Sequence, residues 1–168
     1  LDGGGEVAAL LAAFERRGLL DDLLVQHAWT LLSPLDPKTL KPSDLASILH
    51  FVSKLPPHLS PPCLADITQW LAASLRSAST EIVDSDPASH HRDGFTTQTL
   101  SMTIAACARL GGECGSELDR LAELAVTAKA EDYDLVGIIS LLGACARESE
   151  GGKGSKALTL IKSIARSR

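Results

Sequence analysis

The chain has 168 residues, of which 45% are hydrophobic but only 4% aromatic, and a formal net charge of −5. That length allows one domain with a continuous core, and an aliphatic, aromatic-poor composition favours helices over sheets. The negative total argues against a general nucleic-acid glue, and no apolar run approaches the ~20 residues needed to span a bilayer, so the chain reads as soluble.

An opening Leu in place of Met is what a cleaved targeting peptide or an excised fragment would leave. The first helices are expected over Val7 to Arg17 and Leu20 to Leu32, with Gly18 as the turn between them. Ser43 then reads as the N-cap of a helix whose apolar stripe is Leu45, Ile48, Leu49, Val52 and Leu55. Pro56-Pro57 ends that helix, because neither ring continues the hydrogen-bond ladder. The next follows Ser60 with Pro61 at its first position and carries Leu64, Ile67, Leu71 and Leu75, with Trp70 beside the stripe. From about Arg76 to Phe95 the chain turns polar and reads as a mobile loop projecting from one edge.

Thr96 or Thr97 caps a helix through Leu100, Ile104, Cys107 and Ala108, which Gly111-Gly112 stops. Ser116-Glu117-Leu118-Asp119 fits a capping box for a helix that buries Leu118, Leu121, Leu124 and Ala125 or Ala128. A further helix is expected from about Asp132 to Arg147 through Leu135, Ile138, Ile139, Leu142 and Cys145, closed by Gly151-Gly152. The last carries Leu158, Ile161 and Ile164. Small residues at Ala105, Ala106, Gly143 and Ala144 would let neighbouring helices approach closely.

These eight helices repeat. Arg16 and Lys54 lie 38 residues apart, as do Arg109 and Arg147, and each basic residue closes the first helix of a pair. The interval from Lys54 to Arg109 is 55 residues, and the surplus falls in the polar insert. Trp29, Ile67, Ala122 and Leu160 each follow their own basic landmark by 13 positions. A fixed period of this size is the signature of a helical solenoid. The expected fold is therefore all-α, an α-solenoid of about four stacked antiparallel hairpins in a single domain. Its units are about 6–33, 43–75, 96–130 and 131–168, with the insert at about 76–95.

Candidate chemistry is sparse. The recurring Arg16, Lys54, Arg109 and Arg147 suit either a ladder of phosphate contacts or simple favourable placement at helix C-termini. A basic tail containing Lys153, Lys156 and Lys162 is the other candidate for RNA backbone contact, or else the solvated face of a terminal helix. Seven acidic residues against two basic ones between Glu113 and Asp134 make the charge uneven. Gly151-Gly-Lys-Gly-Ser155 lacks the spacing of a phosphate-binding loop and has no strand before it, so it reads as a turn. His90 and His91 among aspartates read as solvated and not as a metal site. The four cysteines contain no CxxC pair and read as small hydrophobes. Trp29 and Trp70 read as packing residues in preference to platforms for bases. No Ser, Cys or Thr sits in a recognisable nucleophile setting, and no cofactor or metal is expected.

Ser43-Asp-Leu-Ala-Ser-Ile-Leu-His-Phe-Val-Ser-Lys-Leu55 and Thr99-Leu-Ser-Met-Thr-Ile-Ala-Ala-Cys-Ala-Arg-Leu110 resemble the first helix of the octotricopeptide and heptatricopeptide repeats. These are organellar helical-repeat families related to the arrays of FAST-kinase-like proteins. The resemblance spans about Val7 to Arg168. It implies binding to organellar RNA, through first-helix residues including Arg16, Lys54, Arg109 and Arg147 on a concave side. It also implies a mitochondrial location and, as in some protist mitochondria, a place within the ribosome itself. The expected function is thus that of a non-enzymatic structural subunit contacting rRNA and neighbouring proteins of a large assembly. The alternative is a protein–protein scaffold whose groove holds a partner helix or peptide.

Overall fold

The computed structural model describes residues 3–56, 58, 59, 61–83, 94–128, 132–150, 159, 162, 163 and 166. Among these it is all-helical. The elements are α1 (Gly3–Arg16), α2 (Asp22–Leu32), a 3-10 turn (Pro37–Thr39), α3 (Pro42–Ser53), α4 (Leu64–Val83), α5 (Thr97–Leu110), the short α6 (Gly112–Gly115), α7 (Leu118–Thr127) and α8 (Leu135–Glu150). No helix of the described residues is long and apolar enough to cross a membrane.

Local chemistry sets several of these boundaries. The Asp21 carboxylate accepts from the Leu24 N–H at 2.7 Å and starts α2, and Thr96 Oγ1 accepts from the Thr99 N–H at 3.2 Å and starts α5. Gly111, at φ 62°, ends α5 while its N–H bonds back to the Cys107 carbonyl at 2.9 Å. That left-handed backbone favours a residue without a Cβ. Asp134 Oδ1 accepts from the Gly137 N–H at 2.7 Å at the start of α8.

The helices lie in two layers. α1, α3, α5 and α8 pack against one another in chain order, while α2, α4 and α7 pack on α1, α3 and α5 respectively, and α4 also touches α7. Hydrogen bonds between the ends show how the first layer is aligned. The Thr97 hydroxyl, at the start of α5, donates to the Asp132 carbonyl just before α8 at 2.9 Å. Arg109, at the end of α5, reaches Ser53, at the end of α3. Successive helices of this layer therefore run in parallel, with like ends together. The two inner members are buried around much of their circumference: Leu45, Ala46, Ile48 and Leu49 of α3 and Ile104, Ala106 and Cys107 of α5 are all 0% exposed. The buried hydroxyls of Ser101 and Thr103 donate to carbonyls one turn back, at 2.7 and 2.8 Å, so small polar residues are tolerated in the seams.

Trp29 of α2 and Trp70 of α4 meet edge-to-face, centroids 6.3 Å apart at 81°, and the Trp70 indole N–H donates to the Leu35 carbonyl at 3.3 Å. Both tryptophans serve packing between the first two helix pairs. In the second layer, Ile67 and Ala122 are buried and Trp29 is half-buried. The four cysteines are free, three of them buried.

Several sequence expectations are corrected. Lys41 and not Ser43 precedes α3, whose first residue is Pro42, and no side chain caps it. α4 begins at Leu64, three residues after Pro61, and continues through Arg76 to Val83, so the expected loop is helical over its first eight residues. Its stretch 84–93, with His90 and His91, lies outside the described residues. Ser116 is not the N-cap of the next helix: Glu117 precedes α7, without a side-chain cap, and pairs with Arg76 of α4 at 2.9 Å. α8 starts at Leu135 instead of Asp132, and three of its expected core residues, Leu135, Ile139 and Leu142, are 68%, 59% and 45% exposed. Its buried residues include Gly137, Leu141, Ala144 and Cys145. The expected closure at Gly151-Gly152 and the final stripe at Leu158, Ile161 and Ile164 lie outside the described residues.

Close approach of α8 to α5 depends on Gly137 and not on Gly143. A Cβ at Gly137 would sit 3.0 Å from Ser101 Oγ and from Asp134 Oδ1, whereas one at Gly143 would meet nothing within 4 Å. Replacing Gly143 with Ala should therefore stabilise the protein by about 0.5–1 kcal/mol, the ordinary gain from removing a helical glycine. Gly137→Ala should gain less or lose stability. Urea midpoints of the two variants check this.

Candidate nucleic-acid interface

Parallel alignment of α1, α3, α5 and α8 has a consequence for charge. Arg16 is the last residue of α1, Lys54 is the C-cap of α3, Arg109 is next to last in α5, and Arg147 lies in the last turn of α8. All four side chains are exposed. They line the edge where the first-layer helices end. Each cation also sits near the negative end of its helix dipole, which is favourable with or without a ligand.

Contacts along this edge are specific. Lys54 Nζ donates to Glu15 Oε1 at 2.5 Å, and His50 Nε2 lies 3.5 Å from the same oxygen. The Arg109 guanidinium reaches Ser53 Oγ at 3.4 Å. The edge is thus continuous from α1 to α5, with Glu15 inserted between its cations. Glu15 is the more enclosed partner, its side chain 18% exposed against 44% for Lys54. The carboxylate offsets part of the positive field at Lys54, and Arg109 meets a neutral hydroxyl instead.

His50 sits beneath this row, and its Nδ1 is buried with no hydrogen-bond partner. Burial lowers its pKa from the ordinary value, the nearby Lys54 and Arg109 lower it further, and Glu15 opposes them. The folded protein therefore holds His50 neutral to lower pH than the unfolded chain does. The unfolded state binds more protons as pH falls past about 6.5, the unperturbed histidine value. The contribution of His50 to stability is accordingly present above that pH and lost below it. His50→Asn should flatten the fall in denaturation midpoint between pH 7 and 5; an unchanged slope would assign that fall to other groups.

The basic tail is described only in part. Lys162 and Arg166 are exposed, one turn apart, and line a groove with Thr159 and Ser163. Lys153 and Lys156 lie outside the described residues. Sequence reasoning found the four basic landmarks but missed Glu15, His50 and Ser53. Position 50 precedes Lys54 by one helical turn, which was a readable signal. The pairing of Glu15 with Lys54 crosses two helices and had none.

Among the described residues, no group of three or more His, Cys, Asp or Glu side chains converges as metal ligands would. No protein-family model, curated protein or solved structure matches this chain.

Proposed function

We propose that this chain is a non-enzymatic, RNA-associated helical-repeat protein. In this reading the stacked hairpins form a four-unit α-solenoid on a 38-residue period, related to the octotricopeptide and heptatricopeptide repeats. The chain serves as a structural subunit of a mitochondrial ribosome or a similar RNA–protein particle. The observation that carries the reading is the alignment of Arg16, Lys54, Arg109 and Arg147 along one edge of the first layer. Packed helices lie about 8–10 Å apart, so their ends offer cations at a repeated interval to a polyanion. Lys162, with Lys153 and Lys156 of the same basic tail, extends the contact surface. The mechanism is shape and charge matching, without a small-molecule substrate or cofactor.

Binding of this kind releases counterions and weakens as salt rises, by a slope of about −0.7 in log–log form per phosphate on a single strand. Filter binding to a structured RNA at a series of salt concentrations is the test. A slope near zero would reject the proposal.

A second reading is favoured by the Glu15–Lys54 pair and by the acidic stretch from Glu113 to Asp134. Both subtract from a positive surface and suit a scaffold holding a partner helix or peptide. Nuclease treatment of the native assembly separates the two, because a scaffold contact survives loss of RNA.

A further inference from the structure

His50 of α3 and Lys54, one turn further along, turn toward a single oxygen. Glu15 Oε1 of α1 accepts from Lys54 Nζ at 2.5 Å and lies 3.5 Å from His50 Nε2. The carboxylate is the most enclosed of the three, its side chain 18% exposed against 23% for His50 and 44% for Lys54. Where two nitrogen bases share one carboxylate oxygen, a single proton can decide which of them it holds.

The second ring nitrogen sharpens the choice. Nδ1 of His50 is buried and has no hydrogen-bond partner. A neutral imidazole tolerates this, because it keeps its N–H on the side of Glu15 and encloses only a lone pair. The imidazolium carries an N–H on both nitrogens, and the one on Nδ1 meets no acceptor. Its charge is then met at Nε2, by Glu15. Lys54 gives way readily, since its ammonium is the most exposed of the three and rides on a flexible stem.

Glu15 faces His50 from α1, Lys54 from its own helix and Arg109 from α5. Neither Asp66 nor Arg76 of α4, the remaining helix packed on α3, is among the charges that act on it. Burial does most to hold the ring neutral, Lys54 adds to it, Glu15 opposes, and Arg109 adds least. A phosphate resting on Lys54 and Arg109 cancels the share of those two cations and leaves that of burial. RNA on this edge and a proton on His50 therefore favour each other.

We propose that RNA binding along this edge is proton-linked through His50: the imidazolium takes Glu15, and Lys54, released, takes a phosphate. The proton link presupposes the RNA reading above and gives it a regulator, pH, acting at one residue. Such coupling is reciprocal. Lower pH tightens the complex, and RNA raises the pH at which His50 gains its proton.

Fluorescence anisotropy of a labelled oligouridylate at fixed salt between pH 7 and 5 tests this, because neither uracil nor a phosphodiester titrates there. Wild-type affinity should rise about five-fold more over this range than that of His50→Asn, the low end for coupling between two sites. The variant reports what all other groups contribute. Glu15→Gln keeps the histidine and removes the shared carboxylate, so it should already bind tightly at pH 7 and respond to pH no more than His50→Asn does. In parallel, the His50 Cε1–H resonance of the wild type should titrate at higher pH with RNA than without. Circular dichroism at each pH verifies folding. Binding that ignores salt at pH 7 would sink the RNA reading and the proton link together. Salt-dependent binding with the same pH response in wild type and His50→Asn overturns the proton link alone, as does a Glu15→Gln protein that keeps the full response.

Discussion

Trp70→Ala should destabilise the protein by about 3–5 kcal/mol, the range for removing a large aromatic side chain from a core. At 8% exposure Trp70 is nearly enclosed, and three losses coincide on its removal. The apolar area of the indole is no longer buried. The edge-to-face pair with Trp29, centroids 6.3 Å apart, contributes roughly 0.5–1.5 kcal/mol beyond area. The Leu35 carbonyl loses its indole donor, 3.3 Å away. Because α4 packs against the turn that follows α2, the cavity opens between the first two helix pairs and cannot close by a side-chain shift within one helix. For a domain of this length the expected fall in Tm is roughly 10 °C. Calorimetry measures it. A fall of only one or two degrees would place Trp70 outside the core, whereas Trp70→Phe, which keeps an aromatic ring, should lie between the two.

The second large effect is on RNA affinity, and it has opposite signs at neighbouring residues. Reversing charge at Lys54 and Arg109 together should lower affinity by about ten-fold or more and reduce the salt slope by about 1.4, for two lost phosphate contacts on a single strand. Glu15→Gln should act the other way. Its carboxylate holds Lys54 at 2.5 Å, and neutralising it releases that cation to a phosphate and removes a repelling charge from the edge. A several-fold tighter complex is expected, with a steeper salt dependence. The pair Lys54–Glu15 is partly exposed and contributes little to stability, so both variants should melt near the wild type. If Glu15→Gln weakened binding, the edge would not be the RNA surface and the carboxylate would belong to a protein contact.

Helix type and order were legible because side chains alternate between apolar and polar at helical intervals, and because Gly18, Thr96 and Gly111 act on their own backbone within a few residues. The basic landmarks were legible for the same reason: each is a local feature of a helix end. Their assembly into one edge depends on parallel packing of helices far apart in the chain, which the repeated interval suggested and the packing of α1, α3, α5 and α8 supplied. Other features were not legible locally. Glu117, beside the expected cap at Ser116, pairs with Arg76 of α4 across 41 residues, and the polar run after Leu75 stays helical to Val83.

By itself, the order of residues determined that this protein is helical, roughly where its helices lie, and that a cation stands in or just after the last turn of α1, α3, α5 and α8. Only the tertiary structure decided which of two apolar stripes on α8 is covered, which glycine admits a neighbour, and that Glu15 sits among the cations. The reason is physical. A helix packed on two sides needs two apolar faces, and periodicity locates both without saying which has found a partner.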